Sequence, residues 1–185
     1  MTRVIRSTIF IMLLSLSATA AAQEANPTGF AFSLGFGPST IEDVDGPGDE
    51  FDGGDIGWNF DVEWRFIEYV ALGMNIATFG EDTDFFNGTD TTIEINGIGV
   101  YARGYLPVND RLLLHATWGS CSYDADVDPN QNFNLLIFDG SADAYGLGAD
   151  YRLSKNWSAR FDHRWYDGQR REAGTLTTLG FRFQF

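Results

Sequence analysis

The chain has 185 residues, 44% hydrophobic and 15% aromatic, with 12 Lys and Arg against 26 Asp and Glu for a net charge of −14. Such an acidic surface repels phosphate backbones, which leaves out nucleic acid as a partner. The single cysteine, Cys121, leaves no internal disulfide to hold a small exported domain together, so another device must do so.

The N-terminus reads as an export signal. Arg3 and Arg6 supply a positive start, Ile9 to Leu16 an apolar run, and Ala20, Ala21 and Ala22 the small residues a signal peptidase accepts. Cleavage is expected after Ala22, giving a signal peptide over 1–22 and one domain over 23–185. The apolar run is far shorter than the roughly 20 residues of a spanning helix, so a helical anchor is not expected. No cysteine follows the cleavage site to carry a lipid. Removal of Arg3 and Arg6 lowers the 12 bases to 10 against 26 acids, a net charge of −16 on the mature chain.

From Gly29 onward the sequence alternates with period two, the signature of strands with one apolar and one polar face. The first strand is expected over 29–37, with Phe30, Phe32, Leu34 and Phe36 on one face and small residues on the other. The second, 56–66, is the sharpest. Ile56, Trp58, Phe60, Val62, Trp64 and Phe66 share one face, and Gly57, Asn59, Asp61, Glu63 and Arg65 the other. The third, 69–79, points Val70, Leu72, Met74 and Ile76 one way. The fourth, 92–105, is less regular; Ile98, Val100 and Ala102 are placed outward and Glu94 above the apolar belt. The fifth, 111–123, presents Leu112, Leu114, Ala116 and Trp118. The sixth, 141–152, presents Tyr145, Leu147, Ala149 and Tyr151. The seventh, 156–166, presents Trp157, Ala159, Phe161 and Trp165. The eighth, 175–185, presents Leu179, Phe181, Phe183 and Phe185.

The connections alternate in length. Those at 66–69, 107–110 and 154–156 are short. Those at 38–55, 80–91 and 124–140 are long, and 167–174 is moderate. Short turns at one end and long loops at the other, with an even strand count, are the layout of an outer-membrane barrel whose termini are periplasmic and whose long loops are extracellular. The expected fold is therefore all-β, an up-and-down antiparallel transmembrane barrel of eight strands. A soluble ligand-binding barrel would hide its apolar face inside. Here the second face carries Asp61, Glu63, Arg65, Asp150, Arg152, Arg160, Asp162, Arg164 and Arg182 among many glycines, and the aromatic face suits lipid.

Three segments carry a family resemblance. Leu179-Gly180-Phe181-Arg182-Phe183-Gln184-Phe185 is similar to the terminal-strand signal read by outer-membrane assembly machinery, which implicates Leu179, Phe181, Phe183 and Phe185 in assembly. Residues 151–167, which include Ser158-Ala159-Arg160-Phe161-Asp162-His163-Arg164-Trp165, resemble strands six and seven of the OmpA/OmpX-like barrels. So does Gly99-Val100-Tyr101-Ala102-Arg103-Gly104-Tyr105-Leu106-Pro107. Family members that anchor the envelope carry a peptidoglycan-binding domain after the barrel. The chain stops at Phe185, so the resemblance implies a barrel-only member without that function.

Four features are candidate sites. The inward charges are the acids Asp61, Glu63, Asp150 and Asp162 with the bases Arg65, Arg103, Arg152, Arg160, Arg164 and Arg182. They form either a gated ion path or a satisfied polar plug, and the narrow interior of eight strands favours the plug. The acidic loops, with Glu42, Asp43, Asp45, Asp49, Glu50, Asp52 and Asp55, then Glu81, Asp82, Asp84 and Asp90, face anionic lipopolysaccharide, where divalent cations would bridge. Asp124, Asp126 and Asp128 open like a calcium loop, but Pro129 and Leu135 stand where glycine and a bidentate glutamate belong. The apolar run Phe133, Leu135, Leu136, Ile137 and Phe138 is either a binding patch or an upward extension of the sixth strand. Catalysis is not expected. Lipid A deacylases place serine two residues after their strand histidine, and here Trp165 follows His163. His115 has no recognisable partner in sequence. No metal and no cofactor is expected. The expected role is structural or surface-interactive, with a small gated pore as the alternative and a lipid A-modifying enzyme behind it.

Overall fold

A computed structural model of the chain describes residues 28–45, 50–86, 89–128, 140–168 and 173–185. The expected signal peptide over 1–22 and the apolar run 133–138 lie outside these residues.

Eight long strands form one closed antiparallel sheet. They are β1 (Gly29–Asp45), β3 (Ile56–Ile67), β4 (Val70–Phe86), β5 (Thr89–Pro107), β6 (Leu112–Asp128), β7 (Gly140–Arg152), β8 (Trp157–Gly168) and β9 (Ala173–Gln184). Each pairs with its neighbour in sequence, and β1 closes the ring on β9, from Ala31 opposite Gln184 to Glu42 opposite Ala173. A ninth, short strand, β2 (Glu50–Gly53), hairpins onto the far end of β1. Closure leaves the eight strands without a free edge, which is what a lipid environment demands of a sheet.

Alternation sets the two faces as expected. Outward residues such as Phe30, Leu72, Val100, Trp118, Leu147 and Phe181 are exposed, Trp118 to 64% and Leu179 to 67%, in a continuous apolar belt that no water-soluble monomer would carry. Phe183 shares that outward parity yet is 6% exposed, because Phe32, Trp157 and Phe185 pack around it with ring centroids 5.4, 4.9 and 5.2 Å away. This aromatic cluster ties β1, β8 and β9 together beside the seam.

The short turns close on themselves. The side chain of Asn109 accepts from the amides of Arg111 at 2.9 Å and Leu112 at 3.0 Å, and Ser154 Oγ accepts from the Trp157 amide at 3.2 Å. At the other end the strands run further than alternation predicts. β4 reaches Phe86 and β5 starts at Thr89, and Asp82, Asp84 and Asp90 of the expected loop lie within this paired extension. Alternation reports burial, and outside lipid neither face has to be apolar, while Thr83, Thr89, Thr91 and Thr92 still favour extended backbone. β1 likewise continues past Pro38, where its pairing with β3 ends. Gly80, at φ +84°, absorbs the register shift between Thr78 and Glu81; a side chain there would meet Asp55 at 2.7 Å.

Candidate functional site: the barrel interior

The inward face has two tiers. The one nearer the short turns is ionic. Asp61 and Glu63 come from β3, Arg103 from β5, Asp150 from β7, Arg160, Asp162 and Arg164 from β8, and Arg182 from β9, each 4% exposed or less. Arg103 donates to Glu63 at 2.9 Å, Asp162 at 3.0 Å, Asp61 at 3.4 Å and Thr117 at 2.9 Å. Arg164 bridges Asp61 at 2.7 Å and Asp162 at 2.9 Å. Arg160 grips both oxygens of Asp150, at 2.7 and 2.8 Å, and donates to Ser33 at 3.0 Å. Arg182 donates to Glu63 at 2.9 Å across the small residues of β1. The Tyr105 hydroxyl adds a 2.5 Å bond to Glu63. Charge-assisted, multiply bonded pairs of this kind are the arrangement in which buried ions are held.

Four carboxylates and four guanidiniums thus balance. Two further expected members behave differently. Arg65 is buried, but no carboxylate of the described residues pairs with it; its guanidinium lies 3.7 Å above the Tyr105 ring instead. Arg152 corrects the expectation outright. It has the inward parity of Asp150, but β7 ends at this residue, at the short-turn mouth, and its side chain is exposed.

Sequence reasoning missed the aromatic and neutral members of the tier. Tyr101 and Tyr105 share the parity of Arg103 on β5. Arg103 and Arg164 lie 4.7 and 5.5 Å from the Tyr101 ring. Gly73 sits opposite Tyr101, and a Cβ there would fall 2.4 Å from the phenol ring, so the glycine makes the room. His115 is buried with Nε2 3.9 Å from Asp150 Oδ1. The parity that marked Arg103 marks these residues too, but charge alone drew the eye.

The second tier lies toward the long-strand end and is apolar. Ile41, Ala77, Phe79, Cys121, Ala142, Ala144, Tyr166 and Leu176 form one buried cluster, with Phe79 and Tyr166 edge to face at 5.0 Å. Cys121 is here a small buried filler. The ions sit below the apolar tier and the extended strand ends above it, and side chains occupy the lumen at the level of both tiers.

The other candidates fare differently. Asp124, Asp126 and Asp128 belong to β6, paired opposite Asn96, Glu94 and Thr92, so they lie on a strand and not in a calcium-type loop. His163 faces outward, and its Nδ1 lies 2.6 Å from Thr177 Oγ1 on β9, with the Trp165 ring packed on it at 4.3 Å. A hydroxyl partner therefore exists, on a strand that sequence spacing does not reach.

A closed antiparallel barrel with an apolar, aromatic outer belt and paired charges within is a transmembrane barrel of the outer-membrane type. Residues 8–185 match the outer membrane protein beta-barrel domain family, and the chain belongs to it. It is an integral β-barrel of the bacterial outer membrane. Among solved structures it is similar to Neisserial surface protein A (12% identity, 85% of this chain and 98% of that one, TM-score 0.67). It is also similar to Ail, the attachment invasion locus protein of Yersinia pestis (15%, 85% and 99%, TM-score 0.59), which has been solved as well with the heparin analogue sucrose octasulfate. OprG of Pseudomonas aeruginosa is a third (12%, 88% and 99%, TM-score 0.59). At these identities the likeness is one of fold. No curated protein sequence matches the chain.

Proposed function

We propose that the chain is a non-enzymatic, non-conducting barrel that stabilises the envelope and presents its long-strand end to the surroundings. The observation that carries this reading is the lumen packed at two levels, in which the ionic network of Glu63, Arg103, Asp162 and Arg164 is capped by Phe79, Tyr166 and Leu176. An ion would have to pass the paired charges and then the apolar layer, which offers few groups to replace its hydration.

The start of β1, the end of β9 and the short turns fall at one end of the barrel, which supports a periplasmic location for that end and an extracellular one for the acidic strand extensions. Partners at the outer end are lipopolysaccharide bridged by divalent cations, or a cationic surface. The charge of −14 disfavours a polyanion of the kind bound by Ail. The lipid-facing His163–Thr177 pair lacks a carboxylate orienting the imidazole among the described contacts, which supports a packing role over lipid A chemistry.

The test is single-channel recording of the refolded protein in a planar bilayer. Silence, with the folded state confirmed by its heat-dependent gel mobility, supports the plugged barrel. Discrete openings altered by Glu63→Gln or Arg160→Ala would establish the gated pore instead.

A further inference from the structure

Arg65 leaves the interior with one positive charge more than its four balanced pairs. It does not end blindly in the wall. It lines a cavity of about 240 Å³ at the short-turn mouth, together with Arg152, Lys155 and Arg182 and the acids Glu68 and Asp150. Four cations against two carboxylates make this mouth net positive on a chain whose net charge is −14. One of each is already matched inside, Asp150 by two nitrogens of Arg160 and Arg182 by Glu63, which leaves Arg65, Arg152 and Lys155 against Glu68. Arg65 is 3% exposed, and its Nε and Nη2 have no hydrogen-bond partner. A buried guanidinium with unmet donors beside a polar cavity is an incomplete site, since unpaired buried donors and charge are costly.

We propose that this cavity is a binding site for a phosphate-type oxyanion. A guanidinium presents its N–H groups in a planar fork that matches two oxygens of a phosphate, while Lys155 adds a mobile point charge at the rim. Arg65 supplies the fixed, preorganised wall, because stacking on Tyr105 at 3.7 Å holds its plane. Arg152 and Lys155 are exposed and free to close over the anion. The same chemistry is offered by free phosphate and by the headgroup of a phospholipid bent over the rim, and the site takes the phosphate group in either case.

The experiment is isothermal calorimetry of inorganic phosphate into the folded full-length barrel in maltoside micelles, which contain no phosphate, with chloride holding the ionic strength constant. Saturable binding is expected, weakened about tenfold or more by Arg65→Gln, the loss of one charge-assisted contact. Arg152→Ala with Lys155→Ala should weaken it similarly and leave the heat-dependent gel mobility unchanged; this exposed pair decides the matter if Arg65→Gln does not fold. A parallel titration with phosphatidylglycerol in the micelles separates the sources. Loss of phosphate binding there identifies the headgroup as occupant, and unchanged binding identifies the free anion. Absence of saturable phosphate binding, or binding indifferent to the Arg152 and Lys155 replacements, would overturn the proposal.

Discussion

Arg160 and Asp150 face each other directly across β8 and β7 and are joined by two parallel N–H···O bonds of 2.7 and 2.8 Å. The pair is buried, and removing Arg160 leaves the Asp150 carboxylate without its two hydrogen bonds and with Arg182 only at 3.8 Å. Arg160→Gln is expected to lower stability by about 3–5 kcal/mol, read as a lower urea midpoint of the micelle-folded barrel. Replacing both residues by apolar ones of similar volume should cost less than the single change. A midpoint that does not move in Arg160→Gln would mean that water reaches Asp150.

Phe79 is the keystone of the apolar tier, packed against Tyr166 at 5.0 Å. Phe79→Ala should cost about 3–5 kcal/mol through the cavity it leaves. The two tiers close the lumen in series, so opening one leaves the other shut. Neither Phe79→Ala nor Glu63→Gln alone should conduct in a planar bilayer, whereas the double variant should. Conduction by Glu63→Gln alone would show that the apolar tier is no seal.

Cys121 lies inside the barrel within that tier, 6% exposed. A water-soluble maleimide should leave it unlabelled while the barrel is folded and label it fully after boiling in detergent. Labelling of the folded form at the boiled rate would place the thiol on the outside.

Phe185 ends the chain at the seam, where its amide donates to Phe30 O at 3.0 Å and its ring sits 5.8 Å from Phe32. Deleting it should reduce the heat-modifiable form recovered in outer membranes, since the seam loses a member and so does the assembly signal expected from the family resemblance. Purified protein refolded in micelles should suffer less. Equal loss in both settings would assign Phe185 to stability alone.

The lipid-facing half of this fold was legible in the sequence because lipid demands an apolar residue at every second position. The outward assignments of Ile98, Leu147 and Phe181 follow from that demand alone. The inward acids and arginines were legible for the same reason, as the complementary parity. What alternation could not supply was depth along the axis. Arg152 and Asp150 share a face, yet one turn of the pleat separates a buried network from the open mouth. Nor could it supply the apolar tier. Phe79 and Leu176 look misplaced on a polar face until neighbouring strands bring Ile41 and Tyr166 to the same level. The strand extensions beyond Phe79 and before Thr92 were hidden because the membrane imposes no pattern there.

The contact between Arg182 and Glu63 joins β9 to β3 over the intervening β1, whose inward residues Ala31, Ser33 and Gly35 are small enough to pass beneath it. This gives the closing seam a form of error detection. A slip of one residue would turn β1 inside out and be rejected by lipid. A slip of two residues keeps every face correct and would escape that test. It would also carry Arg182 along the strand axis by about 7 Å, beyond reach of Glu63. The ionic tier thus proofreads the misalignment to which the greasy exterior is blind, and a barrel that has closed in the wrong register is left with charges it cannot match.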